Sequence, residues 1–166
     1  DGYVKEDLYQ DVSHLDFCIT PKGEPLTATK TAFTSYTRTY TWDITKDFDG
    51  TYTGFIGDAA FDHGYVVKVD QTITESLFKV YGTITINNTN AYSVDATISD
   101  SVGGVAATLL CTNPFTVPAN GSAACDYYAF LPGKVNGTNT ATITSLHPYV
   151  DGATATADYT FGEPTT

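Results

Sequence analysis

No stretch of this sequence approaches the roughly 18 consecutive apolar residues that a membrane-spanning helix needs, so insertion into a bilayer is not expected. Basic residues are scarce as well, with 8 Lys and Arg against 19 Asp and Glu, a net charge of −11 and a pI of about 4.3. Neutralising a phosphate backbone or an anionic membrane surface takes Lys and Arg in number, which disfavours both as partners. Histidines are few. His14, His63 and His147 fall in arm or turn segments with no G-x-S-x-G or comparable setting, so nothing supplies the base a nucleophilic hydrolase requires. H-E-x-x-H, paired C-x-x-C and Gly-rich phosphate loops are all missing. Acidic residues are so common that a glycosidase-like carboxylate pair could be drawn almost anywhere. The chain is not expected to be an enzyme, and no cofactor is implied. Methionine is absent, and no 20-to-50-residue repeat is visible.

What is present points to strands. Threonine makes up roughly a sixth of the chain and tyrosine is abundant, the composition of half-buried β-structure. From Leu77 to Ser99 the pattern has period two. Phe78, Val80, Ile84 and Ile86 share one parity with Gly82 between them, then Val94, Ala96 and Ile98 resume after the polar NNTNAY, which reads as a hairpin on a common core. A second anchor strand runs from Tyr36 through Arg38, Tyr40, Trp42 and Ile44, alternating with Thr and Asp. Trp42 is the best candidate for the core centre. Arg38, on the same parity, is expected near a strand end with its head in water.

GYVVKVDQTIT, GVAATLLC, GSAACDYYAF, TNTATITSL and GATATADYTFG follow as further short strands bounded by Gly, Pro or Asn. The last two are joined by HPYVDG as a hairpin with Asp151-Gly152 as its turn signal. Lys46 to Gly64 is rich in Asp and Gly and is expected to hold turns with one short strand. The fold class is all-β, with two packed antiparallel sheets over residues 36–166 preceded by an N-terminal arm over residues 1–35.

The arm carries Tyr3, Val4, Leu8, Tyr9, Val12, Leu15, Phe17 and Ile19, too many apolar side chains for a disordered tail. Something should cover them, either the parent sandwich or another copy. A chain that begins at Asp1 instead of Met is what removal of a secretory leader leaves, and trimming for other reasons leaves the same. Secretion is the expectation. Cys111 and Cys125 flank TNPFTVPANGSAA as a disulfide between adjacent strands would, the other reading being two buried thiols. Cys18 is then buried, free or paired with another chain.

Three further motifs are candidates. Asp47-Phe48-Asp49-Gly50 has the D-x-D-G form of a calcium turn that Asp62 would complete, although a solvated turn accounts for it as well. Asn87, Asn120 and Asn136 each open an N-x-S/T glycosylation pattern in a turn or at a strand end. Tyr52, Phe55 and Tyr65 would serve as stacking platforms for sugars if they are exposed, and as core if they are not.

The run Arg38, Tyr40, Trp42, Ile44 and Lys46, then Val80, Gly82, Ile84, Ile86 and Asn88, then Val117, Pro118, Ala119, Gly121, Ser122, Cys125 and Tyr127, resembles an immunoglobulin-like β-sandwich module of secreted and cell-surface proteins, chiefly bacterial. The resemblance covers roughly Thr34 to Gly162 and departs from the usual short connection between Lys46 and Tyr65. It implies a stalk, adhesive or assembly role without catalytic residues. A small module with an apolar arm is also similar in mode of assembly to fibre subunits joined by strand donation. The expected function is therefore an extracellular structural subunit, self-assembling into a surface filament through its arm. A monomeric adhesin or glycan-binding module is the alternative.

Overall fold

The computed structural model describes residues 22–48, 53–57, 59 and 64–163. In chain order the strands are β1 (Thr27–Lys30), β2 (Phe33–Phe48), β3 (Tyr65–Asn88), β4 (Val94–Val102), β5 (Val105–Ala106), β6 (Thr108–Leu109), β7 (Phe115–Val117), β8 (Gly121–Leu131), β9 (Gly137–Ser145) and β10 (Ala153–Tyr159). They form two antiparallel sheets packed as a β-sandwich. In one sheet β3 pairs with β8 on one side and with β1 and β2 in succession on the other, and β6 extends β8. In the second the order is β10, β9, β4, with β5 and β7 sharing the far side of β4.

The expected alternation builds the core. Val80, Ile84 and Ile86 of β3 face Val94, Ala96 and Ile98 of β4, with Cys125, Tyr127 and Ala129 of β8 and Ala141 and Ile143 of β9 filling the layer between. β9 and β10 pair as the expected hairpin. Its Gly152 lies so close to the β9 backbone that a Cβ there would meet the Ile143 carbonyl. Cys111 and Cys125 form a disulfide, and the Leu110 N–H donates to the Asp126 carbonyl at 2.8 Å, so the segment leaving β6 is fastened to the β8 edge. Such a bond persists in an oxidising compartment.

Four expectations are corrected. The Leu77–Ser99 hairpin is not one, because β3 and β4 belong to opposite sheets and the residues between them cross the sandwich. That crossing is held by polar groups: Asn88 Nδ2 donates to the Tyr92 and Pro118 carbonyls at 2.8 and 3.1 Å, and Asn88 Oδ1 accepts from the Asn90 N–H and side-chain amide. GVAATLLC likewise divides into β5 and β6, one in each sheet. The sandwich also starts before Tyr36. Leu26 is buried in the core, Gly23 N–H donates to the Tyr149 carbonyl, and β1 pairs with β3, so residues 22–35 belong to the body. Finally, Trp42 is 57% exposed, far from any core centre.

Candidate assembly surface

The exposure of Trp42 follows from the length of β2 and β3. Beyond about Thr39 they continue as a two-stranded ribbon, Tyr40 opposite Ile73 through Phe48 opposite Tyr65, with no other strand paired to either among the described residues. Residues opposite one another in an antiparallel pair share a face. One face therefore carries the six apolar side chains of Tyr40, Trp42, Ile44, Val67, Val69 and Ile73, with Lys46 and Gln71 among them and Phe48 and Tyr65 at the far end. The other carries Thr39, Thr41, Asp43, Thr45, Asp47, Lys68, Asp70, Thr72 and Thr74, with Val66 as its one apolar member. The ribbon is amphipathic and its apolar face is open, with those six side chains between 45% and 66% exposed.

A bulge sets this phase. Ser35 faces Lys79 but Thr37 faces Ser76, so Tyr36 stands opposite both Leu77 and Phe78, and Leu77 takes a φ of 56°. One extra residue flips the parity of β3: even positions face inward in the body, and odd positions share the apolar face in the ribbon. On β2 the even positions keep that face throughout. Tyr36 packs its ring against Phe78 and Phe161, and Tyr40, Trp42 and Ile44 continue the same side past the end of the sandwich. Among the described residues, the ribbon is thus one layer of a sandwich whose second layer stops short.

A charged collar marks where it stops. Arg38 donates to Glu75 Oε1 and, at 2.7 Å, to Glu163 Oε2, while Lys134 lies 3.3 Å from Glu163 Oε1 and 3.1 Å from the Tyr36 hydroxyl. The Arg38 side chain is only 20% exposed, so its head is paired and partly covered, against the expectation of a guanidinium in open water. Hydrogen bonds from Arg38, then Lys134, hold the Glu163 carboxyl below the usual carboxylate range. Pairs this close to solvent contribute little net stability, but they fix the segment after β10 against β2.

A second polar group lies inside the sandwich. Lys30 Nζ sits 2.7 Å from Asp100 Oδ2, both side chains wholly buried, and 3.6 Å from the centre of the Tyr127 ring. Asn139, also fully buried, donates through Nδ2 to the same Asp100 Oδ2 at 3.4 Å. The Tyr127 hydroxyl donates to the Thr31 carbonyl at 2.7 Å. Burial is the main cause that pushes the Tyr127 phenol up to about 12, with the Asn139 side chain opposing and the Asp100 charge adding to it. The fold thus holds the phenol neutral after the unfolded chain has ionised near its ordinary value of 10. Stability contributed by this group is complete below pH 10 and is lost as the pH rises towards 12, by roughly 1–3 kcal/mol. Urea unfolding from pH 9 to 12 should show this slope, and Tyr127→Phe should flatten it; equal slopes would remove Tyr127 as its source.

The other sequence candidates are scattered. Asn120 is exposed in a turn, Asn136 is exposed with its Oδ1 accepting from the Phe161 N–H, and Asn87 is half-buried opposite Thr27. Asn87 and Asn120 line one shallow depression with Thr89 and Ser122. Asp47 lies on the polar side of the ribbon opposite Val66, while Asp49 and Asp62 lie outside the described residues. Among the described residues no three His, Cys, Asp or Glu side chains are grouped to hold a metal ion. Tyr65 is exposed beneath the Lys46 ammonium, and Tyr52 is outside the described residues. So are Cys18 and the arm positions Tyr3, Val4, Leu8, Tyr9, Val12, Leu15, Phe17 and Ile19. Sequence reasoning missed the open face and the buried Lys30, Asp100 and Asn139. The parity switch between Ile73 and Phe78 signals the bulge, and the inward parity of Asn139 with Ala141 and Ile143 marks a polar residue on a core face. Compared with known proteins, the chain matches no family model and no curated relative, so the reading of this surface rests on its residues and geometry.

Proposed function

We propose that this chain is an extracellular structural subunit that assembles with copies of itself into a filament, the ribbon of one copy being covered by the next. The observation that carries this reading is the open apolar face of Tyr40, Trp42, Ile44, Val67, Val69 and Ile73. A two-stranded ribbon is marginal on its own in water, and an amphipathic one gains a core only when a second layer is laid on it. Covering each of these side chains is worth roughly 1–2 kcal/mol. A neighbouring copy supplies suitable material, because Leu15, Phe17 and Ile19 alternate with Asp16 and Cys18 in the strand pattern that addition to an open edge requires. The disulfide and the immunoglobulin-like motifs support a secreted, cell-surface setting.

Size-exclusion chromatography and electron microscopy of the full chain test this. Regular high-mass filaments are expected, with Ile44→Lys/Val69→Lys giving a folded monomer and deletion of residues 1–21 giving particles that no longer elongate. A wild-type chain that stays monomeric at high concentration overturns the proposal. The exposure of Trp42 and Tyr65 favours a second reading, a glycan-binding module using those rings as stacking surfaces. A monomer that binds sugars, and loses binding on Trp42→Ala, would establish that reading in its place.

A further inference from the structure

Burying Lys30 and Asp100 completely is costly, since each ion loses its hydration and their mutual attraction offsets this only where every remaining polar atom is satisfied. Here they are not. Among the described residues, Asp100 Oδ1 and Asn139 Oδ1 are both buried and have no hydrogen-bond partner, two acceptors in one cluster with no donor for either. A purely structural ion pair leaves that defect unexplained. The arrangement is also chemically directed: an amine and a carboxamide, on strands of opposite sheets, both contact one oxygen of a carboxyl group between them.

We propose that Lys30 and Asn139 become joined by an amide bond between Nζ and Cγ, formed autocatalytically within the fold, with Asp100 relaying the protons. The Lys30 ammonium gives a proton to the Asp100 carboxylate, leaving a neutral amine. Desolvation favours that form, as burial already lowers the Lys30 pKa. The amine lone pair attacks Asn139 Cγ while the Asp100 acid donates to the Asn139 carbonyl oxygen, which withdraws electrons from the carbon. Asp100 then carries the proton from the attacking nitrogen to Nδ2. As the Cγ–Nδ2 bond breaks, the hydroxyl of the tetrahedral intermediate returns its proton to Asp100, the carbonyl re-forms, ammonia departs, and the Nζ–Cγ bond remains.

One ammonium, one carboxylate and one carboxamide thus become a secondary amide, a neutral carboxylic acid and ammonia, with no oxidant or cofactor. The product removes both buried charges. The proton left on Asp100 supplies the donor that Asp100 Oδ1 and Asn139 Oδ1 lack. Asp100 and Asn139 lie on paired strands, since Asp100 faces Ala141 across β4 and β9, and Lys30 comes from β1 in the other sheet. The bond ties the first strand to the last hairpin across the core. Tension on the chain then runs through a covalent link.

The test is the intact mass of the full 166-residue chain after disulfide reduction. The bond predicts a mass lower than the sequence value by one ammonia, about 17 Da. Digestion should yield a branched peptide joining the segment containing Lys30 to that containing Asn139. Lys30→Arg and Asp100→Asn should both restore the full mass and abolish the branched peptide. An unshifted wild-type mass overturns the proposal, whether or not either variant folds. So does an ammonia loss without the branched peptide, as a succinimide at Asn120-Gly121 or Asn136-Gly137 would give. Loss of water, about 18 Da, with a branch at Asp100 would make Asp100 the electrophile and overturn the assignment to Asn139.

Discussion

Gly82→Val should destabilise the protein by roughly 3–5 kcal/mol, measured by urea unfolding against the wild-type chain. A Cβ at Gly82 would lie 2.1 Å from the Thr31 carbonyl oxygen and 2.8 Å from its carbon, inside any tolerable contact and against backbone that cannot rotate away. The chain between β1 and β2 must therefore lift from β3. Overpacking of this kind costs about 1–3 kcal/mol. Lifting the same segment also removes the Thr31 carbonyl from the Tyr127 hydroxyl and breaks the Thr31 N–H to Thr83 carbonyl bond of 3.0 Å. A buried phenol left without its acceptor adds about 1–3 kcal/mol. Gly133→Ala, where no atom lies within 4 Å of the new carbon, serves as the control and should stay within about 0.5 kcal/mol of wild type. A Gly82 variant as stable as that control would mean that the Thr31 carbonyl does not approach Gly82 so closely.

Gly82 also shows how far the sequence could be read. A glycine between Val80 and Ile84, in a strand otherwise rich in β-branched residues, signals close approach of another backbone. The strand and its inward residues were legible from alternation alone, and the β9–β10 hairpin from its Asp151-Gly152 turn. The Cys111–Cys125 disulfide was legible from the turn-rich segment between the two cysteines, which two buried thiols would have fitted as well. Trp42 was not. Period-two alternation says that Tyr40, Trp42 and Ile44 share a face, but it cannot say whether a second sheet lies over that face. The same ambiguity misplaced the β3–β4 connection, because two inward-facing strands separated by a polar turn fit a hairpin within one sheet and a crossing between sheets equally well. The difference lies in where Asn88 and Asn90 point, which is a tertiary fact. Lys30 was hidden for another reason. A lysine at a strand end reads as a solvated charge, and only the juxtaposition of β1, β4 and β9 puts it inside.

Asn88→Ala should cost about as much as the glycine change, roughly 3–5 kcal/mol, although it removes only a few atoms. Asn88 is 1% exposed and bonds on both sides of its carboxamide. Its Nδ2 serves the Tyr92 and Pro118 carbonyls, and its Oδ1 accepts from the Asn90 N–H at 3.0 Å and Asn90 Nδ2 at 2.9 Å. Asn90 in turn exchanges bonds with Glu24, donating from Nδ2 to its carbonyl and accepting its N–H, each at 2.8 Å. The β3–β4 crossing, the end of β7 and the entry to β1 are thus tied together by the linked pair Asn88 and Asn90. Alanine leaves the buried Val117 carbonyl, 3.4 Å away, and the part-buried Tyr92 and Pro118 carbonyls without that donor, and the buried Asn90 N–H without an acceptor. Each buried group is worth about 1–3 kcal/mol when no water replaces the partner. Amide exchange at Glu24 should accelerate together with exchange at Asn90, although Glu24 does not touch residue 88. Because the two asparagines share one network, Asn88→Ala/Asn90→Ala should cost clearly less than the sum of the single changes. A full sum, or a loss below about 1 kcal/mol for Asn88→Ala, would mean that the crossing is held by apolar packing and not by its amides.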